Sequence, residues 1–334
     1  MDDLADTVDW IAAETKFSGV VRVDRGDDVL LARAYGLAHR GWGAPNELDT
    51  QFAIASGTKG LTALTVVSLI EQGLLDHDTR ARSVLGQHLP LIDDRVTVEH
   101  LLAHRSGIGD YVDEEAGHEI GDYLLPVGVQ ELVTSQQYLR ALDGHKAKFG
   151  PGEQFSYCNS GYVVLAFIAE RVSGVPFHEL VAELVCLPAG MPDTEFVRSD
   201  EPTARAALGY LAVDGLRTNI FHLPVRGSGD GGAYSTAADI HTLWTALFAG
   251  RIVSADWVAE MIRPRSLVPS DFMRYGMGFW LHESGEAVLL EGYDAGVSFR
   301  SVHDPASQVT HTVLSNTSDG AWPITRYLDK LIDF

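Results

Sequence analysis

The stretch Ser56-Gly57-Thr58-Lys59-Gly60-Leu61-Thr62-Ala63-Leu64-Thr65-Val66-Val67-Ser68-Leu69-Ile70 carries the decisive signal in this chain. Its second half is apolar and predicts a buried helix ending near Gly73. Residues three apart on a helix share a face, so Ser56 and Lys59 project together from the first turn. There, unpaired backbone N–H groups and the helix dipole favour developing negative charge. Lys59 is one of five lysines in 334 residues. A serine hydroxyl becomes a strong nucleophile when a base takes its proton, and a lysine of lowered pKa is such a base. Taken alone, the same spacing is also that of a capping serine with a solvated lysine.

Working outward, residues 2–15 carry Leu4, Val8, Ile11 and Ala12 at helical spacing. Gly19–Asp24 and Val29–Tyr35 read as strands joined by the turn Arg25-Gly26-Asp27-Asp28, a β-hairpin. Helices are predicted over 98–104, 129–141, 159–173, 176–186 and 237–249, the last introduced by a capping-box pattern at Thr236-Ala237-Ala238-Asp239. Strands return over 277–281, 287–290, 297–302 and 308–314, and a final helix is expected over 321–333. Strands at both ends with helices between predict an α+β fold. One antiparallel sheet is built from both chain ends and flanked by helices, with a largely helical insertion. The whole chain, 1–334, reads as one domain: an α/β part of about 1–60 plus 230–334, and a helical part of about 61–229.

Composition bounds the function. Forty-six acidic residues against 25 basic ones give a formal charge of −21, which argues against nucleic acid or an anionic membrane as partner. No run reaches the eighteen or so apolar residues of a membrane span. The acidic start, Met1-Asp2-Asp3-Leu4-Ala5-Asp6, lacks the features of a signal peptide, so a cytoplasmic location is expected. Two cysteines, Cys158 and Cys186, make neither a disulfide framework nor a zinc pattern. His100 and His104 are four apart without a third ligand nearby, which reads as helix packing or solvation. The glycine-rich Gly227–Gly232 segment lacks the ending of a phosphate loop and reads as a substrate-cleft loop. No cofactor is implied.

A second chemical signal is Phe155-Ser156-Tyr157-Cys158-Asn159-Ser160-Gly161-Tyr162, which opens a helix after a Pro-Gly-Glu turn. A phenol held near Lys59 would share its proton network, and the Asn159 amide could hold a substrate's carbonyl or amide. Read blandly, Tyr157 is a packed aromatic and Asn159 a helix cap.

Taken together, these segments resemble the penicillin-recognising serine hydrolases: class C β-lactamases, D-alanyl-D-alanine carboxypeptidases, D-aminopeptidases and family VIII esterases. Phe52–Lys59 looks like the family's nucleophile segment and Tyr157–Tyr162 its second motif. Val96–Ile108, Leu187–Thr194 and Gly231–Asp239 are similar to further family segments in the same order. The resemblance implies a β-lactamase/transpeptidase-like fold, Ser56 as acylated nucleophile, Lys59 and Tyr157 as its proton-transfer pair, and Asn159 as a substrate-orienting residue. The chain departs at the third motif, where the family presents Lys-Thr-Gly or His-x-Gly. Here Glu291-Gly292-Tyr293-Asp294-Ala295-Gly296 puts Tyr293 at the cationic position and Ala295 at the glycine, and Gly296 is expected to give the second oxyanion-hole N–H. A tyrosine supplies no charge for a substrate carboxylate. The expected activity is therefore that of an esterase or amidase on small, uncharged acyl substrates, weak on penicillins. A D-amino-acid-specific peptidase, a DD-carboxypeptidase-like enzyme or an acyltransferase uses the same residues, and a non-catalytic scaffold is the alternative of another class.

Overall fold

The computed structural model describes residues 2–114, 117 and 125–332. Eight strands form its main sheet: β1 (Gly19–Arg25), β2 (Asp28–Tyr35), β3 (Ser266–Val268), β4 (Met273–Tyr275), β5 (Trp280–His282), β6 (Val288–Asp294), β7 (Val297–Asp304) and β8 (Val309–Ser315). Their order across the sheet is β2-β1-β8-β7-β6-β5-β4-β3. All neighbours run antiparallel, and Gly19 of β1 sits opposite Ser315 of β8, so the sheet joins the two ends of the chain.

Alternation along the strands divides the apolar residues between two cores. Val21 and Val23 of β1 and Val313 of β8 point to a core closed by α1 (Asp2–Thr15) and the C-terminal helix Trp322–Leu328, through Val8, Ala12, Ile324 and Leu328. Val20 and Leu314 point the other way, into the larger core. That core is filled by α2 (Thr58–Glu71), α3 (Asn159–Ser173) and α4 (Ala237–Phe248). From Thr58 to Leu69 every residue of α2 is buried, so the helix lacks an amphipathic stripe and runs through the protein centre.

Most predicted elements are present, with informative shifts. The stretch 129–141 divides into a 3₁₀ turn, Val129–Glu131, and the helix Ser135–Leu142, because Thr134 starts a new helix through a reciprocal cap with Gln137. The strand expected at 277–281 begins only at Trp280, since Gly278 has φ +87° and a Cβ there would lie 2.3 Å from Ala63 Cβ. Strand β6 extends four residues past its expected end at Leu290, and so carries the third motif as far as Asp294. The short strands β3 and β4 have no counterpart in the predicted elements. The last expected helix ends at Leu328 and is followed by a 3₁₀ turn, Asp329–Leu331. Among the described residues no single helix is long and apolar enough to cross a membrane.

Candidate active site

Ser56 sits in a 3₁₀ turn, Ala55–Gly57, that leads directly into α2. Ala55 adopts φ +42°, a left-handed conformation costly for an alanine, and strain of this kind concentrates at functional sites. Beyond Leu289, β6 pairs only with β7, leaving Leu290–Asp294 as an edge beside this turn. Close approach depends on glycine. A Cβ on Gly292 would stand 2.1 Å from Ile54 O and 2.9 Å from Ser56 N, and one on Gly60 2.6 Å from Leu290 Cδ2.

Lys59 is buried, and its Nζ makes three contacts: Ser56 Oγ at 2.8 Å, Asn159 Oδ1 at 2.8 Å and the Asp230 carbonyl oxygen at 2.7 Å. Burial lowers its pKa, and the charges of Asp230, Glu114 and Asp110 oppose the shift. Two of the three contacts, the Asn159 and Asp230 oxygens, can only accept. A neutral amine therefore spends two N–H groups on them and turns its lone pair to the Ser56 hydroxyl.

Asn159 is the first residue of α3, and its amide is fixed from both sides. Nδ2 donates to Val112 O (3.0 Å) and Glu114 Oε1 (3.1 Å), leaving Oδ1 for Lys59. Asp110 holds the start of α3 by accepting the N–H groups of Asn159 and Ser160, each at 2.8 Å, where the helix dipole favours a carboxylate. Burial nevertheless raises the Asp110 pKa to about 6.

Tyr157 stacks on Trp280 (centroids 5.9 Å apart) and packs at a tilt against His104 (4.3 Å), with Lys59 Nζ 4.8 Å from its ring centre. Burial pushes its phenol well above the usual tyrosine range, while a hydrogen bond with Ser56 pulls it back. His104 is a packing residue whose Nδ1 accepts the Cys158 N–H (3.0 Å), and His100 caps its own short helix through Thr97. Cys158 and Cys186 are buried free thiols.

The structure thus brings Ser56, Lys59, Tyr157 and Asn159 together. At the third motif it departs from the sequence expectation. Gly292 faces the Ser56 turn, so strand alternation puts Asp294 on that same side and Tyr293 on the other. The Tyr293 ring lies 5.9 Å from that of Trp322, and the residue is 43% exposed at the cleft rim. Ala295 is buried in the turn after β6, its carbonyl accepting from Asn219 Nδ2 (2.8 Å). The Gly296 N–H donates to Ser318 Oγ (2.8 Å), so that amide is already engaged. Arg300, the nearest cation along the strands, stands 3.4 Å from Glu291 and 3.5 Å from Asp329.

Sequence reading missed Asp110, Tyr111 and Asp230. Tyr111 donates to Asp230 Oδ2 (2.6 Å), while the Asp230 backbone carbonyl holds Lys59. The available signal was a lone Asp inside the Gly227–Gly232 run, which does line the cleft. Ser56, Asn159, Asp230 and Asp294 share that cleft with apolar walls from Leu208, Leu223 and Val225.

Ser56 thus stands at the head of a buried helix, beside the open edge of an antiparallel sheet. The sequence profile of the beta-lactamase family matches residues 4–333, and the chain belongs to that family. Its members include esterases, amidases and peptidases. Esterase EstB of Burkholderia gladioli is 35% identical over 212 residues, covering 60% of this chain and 52% of the esterase. A D-aminopeptidase of Brucella anthropi is 28% identical over 275 residues, covering 80% of this chain and 49% of that enzyme. A solved penicillin-binding protein from Bacillus halodurans superposes with a TM-score of 0.90 at 35% identity, covering 97% of this chain and 99% of its own. The chain spans between about half and two thirds of the length of the curated relatives it matches.

Proposed function

We propose that this protein hydrolyses small esters or amides through an acyl-enzyme on Ser56. The observation that carries the reading is the Lys59 amine, buried, held by two oxygens that can only accept, and 2.8 Å from Ser56 Oγ. In the proposed reaction the Ser56 Oγ–H proton passes to Lys59 Nζ as Oγ bonds to the substrate carbonyl carbon. The bond to the leaving alcohol or amine then breaks, and the departing atom takes that proton. Water attacks the acyl-enzyme, giving its proton back through the same network and releasing the acid. Opposite pKa shifts support separate roles: the lysine, pushed down, suits the base, and the tyrosine, pushed up, suits a neutral donor or relay. For the oxyanion, the Ser56 N–H beside the β6 edge is the first donor, and backbone donors tolerate side-chain change at the third motif.

The acyl group is proposed to lack a carboxylate. Where the family presents a cation this chain has Tyr293, and on the side facing Ser56 it has the carboxyl group of Asp294, which offers a substrate carboxylate no positive charge. Weak activity on penicillins and on peptides ending in a free carboxylate follows. The amidase or peptidase variant of the reading draws support from the D-aminopeptidase relative, and the esterase variant from EstB. Intact-mass labelling with a fluorophosphonate, comparing wild type with Ser56→Ala, tests the acyl-enzyme: one adduct on the wild type and none on the variant is the expected result. Absence of a wild-type adduct would favour a scaffold.

A further inference from the structure

Among the described residues, three carboxyl groups line the same cleft as Ser56: Glu114, Asp230 and Asp294. Two are occupied within the protein, Asp230 by the Tyr111 hydroxyl (2.6 Å) and Glu114 by Asn159 Nδ2 (3.1 Å). Asp294 accepts the N–H of its own neighbour, Ala295 (2.8 Å), through Oδ1, and among the described residues no cationic side chain is hydrogen-bonded or salt-bridged to it. Among the described residues, the lysine and arginine nearest the cleft, Lys59 and Arg198, have partners of their own. Lys59 is held by Ser56, Asn159 and the Asp230 carbonyl, and Arg198 on the far wall pairs with Asp200 (2.7 Å). The side chain of Asp294 nonetheless leaves β6 on the face that Gly292 presses against Ser56 N. A substrate carbonyl delivered to Ser56 therefore arrives beside a partly buried carboxyl group that lacks a counter-charge.

We propose that the cleft takes acyl donors carrying a free, protonated amine close to the scissile carbonyl and an apolar side chain, such as amides, esters or short peptides of apolar amino acids with an unblocked amino group, and that Asp294 recognises the ammonium. The amine supplies the charge that Asp294 lacks, and the side chain lies against Leu208, Leu223 and Val225. The electrostatics agree: burial, with Asp230 and Glu114 adding to it, raises Asp294 to about 7, and Lys59 offsets this only in part. An ammonium bound here would draw the proton off Asp294 and form a charge-assisted pair. The proposal rests on the acyl-enzyme reading above.

The test is a ratio measured within each protein, so it does not depend on the fraction of active enzyme. kcat/KM is measured for D- and L-leucine and phenylalanine p-nitroanilides, each with a free and an N-acetylated amine, on wild type and Asp294→Asn. The asparagine keeps the acceptor for Ala295 N–H and removes the charge. For the wild type, the free amine of at least one enantiomer is expected to exceed its N-acetyl form by about tenfold or more, and Asp294→Asn to bring that ratio towards one. A wild type that hydrolyses the N-acetyl forms as fast, or an Asp294→Asn that keeps the full preference, overturns the proposal. Fluorophosphonate labelling of the same preparations separates the two levels: labelled Ser56 without amine preference defeats only this inference, whereas no label on wild type defeats the acyl-enzyme reading and this with it.

Discussion

Lys59 Nζ lies 2.8 Å from Ser56 Oγ while a second oxygen, the Asp230 carbonyl in the turn of the Gly227–Gly232 loop, holds the same nitrogen at 2.7 Å. The Gly227–Gly232 loop thereby holds Lys59, the proposed base at the head of α2, and the 3₁₀ turn before α2 presents Ser56, the proposed nucleophile. Removing the amine leaves Ser56 without a proton acceptor. Lys59→Met is expected to lower the rate of fluorophosphonate labelling and of p-nitrophenyl acetate turnover by roughly 10²–10⁴. Circular dichroism and a cooperative melt would establish that the variant is folded. A labelling rate within a few-fold of wild type would remove Lys59 from the proposed role.

Tyr157→Phe separates the phenol from the ring. The ring stacks on Trp280 and packs at a tilt against His104 and should keep doing so, whereas the hydroxyl is the proposed proton relay. Because burial holds the phenol neutral, its proposed part is to pass a proton rather than to take one first. Turnover is expected to fall by about tenfold to a thousandfold with little change in melting temperature. Steady-state kinetics on one ester and one anilide would check it. A drop confined to the anilide would locate the hydroxyl at leaving-group protonation, since an amine needs a proton to depart far more than a nitrophenolate does.

Gly292 is a steric requirement for the site. A Cβ there would meet Ile54 O at 2.1 Å, Ser56 N at 2.9 Å and Ala55 Cβ at 3.0 Å, and the first two are backbone atoms that cannot rotate away. Gly292→Ala must push β6 off the nucleophile turn, at a cost of roughly 1–3 kcal/mol. Chemical denaturation should register that loss, and labelling of Ser56 should slow with it. An alanine variant of wild-type stability and rate would show that the edge of β6 is free to shift.

How much of this was legible in the sequence depended on what each signal rests on. The pairing of Ser56 with Lys59 follows from helical spacing, and the hairpin of β1 and β2 from alternation and a turn, so both could be read locally. Tyr157 and Asn159 needed the family resemblance, because nothing in their own segment says that α3 begins against the head of α2. Asp230 was marked only by its place in the glycine-rich run, and Asp110 was out of reach, since only folding brings them to Lys59 and to the start of α3. The third motif was misread for a different reason. Strand β6 runs past Leu290 to Asp294, and in a strand a shift of reading by one residue exchanges the two faces. Tyr293 and Asp294 thus trade places relative to Ser56, and the missing cation is answered by an acid.

The same acid gives the stability of the protein a pH signature. Asp294 is raised from 3.8 to about 7 and Asp110 from 3.8 to about 6, in both cases with burial as the largest cause. A carboxyl group whose folded pKa lies above its unfolded value holds its proton more tightly when folded. Its contribution is fully present below the unfolded pKa and is lost as pH rises through the folded one. The window is therefore about pH 4 to 7 for Asp294 and about pH 4 to 6 for Asp110. Melting temperatures should fall between pH 5 and pH 8, and Asp294→Asn, which cannot ionise, should flatten the upper part of that slope while leaving the part due to Asp110. Thermal melts of both proteins at half-unit intervals at constant ionic strength would measure it. Parallel curves would mean that Asp294 is solvated enough to ionise at an ordinary carboxylate pKa. They would also remove the electrostatic support for its pairing with a substrate amine.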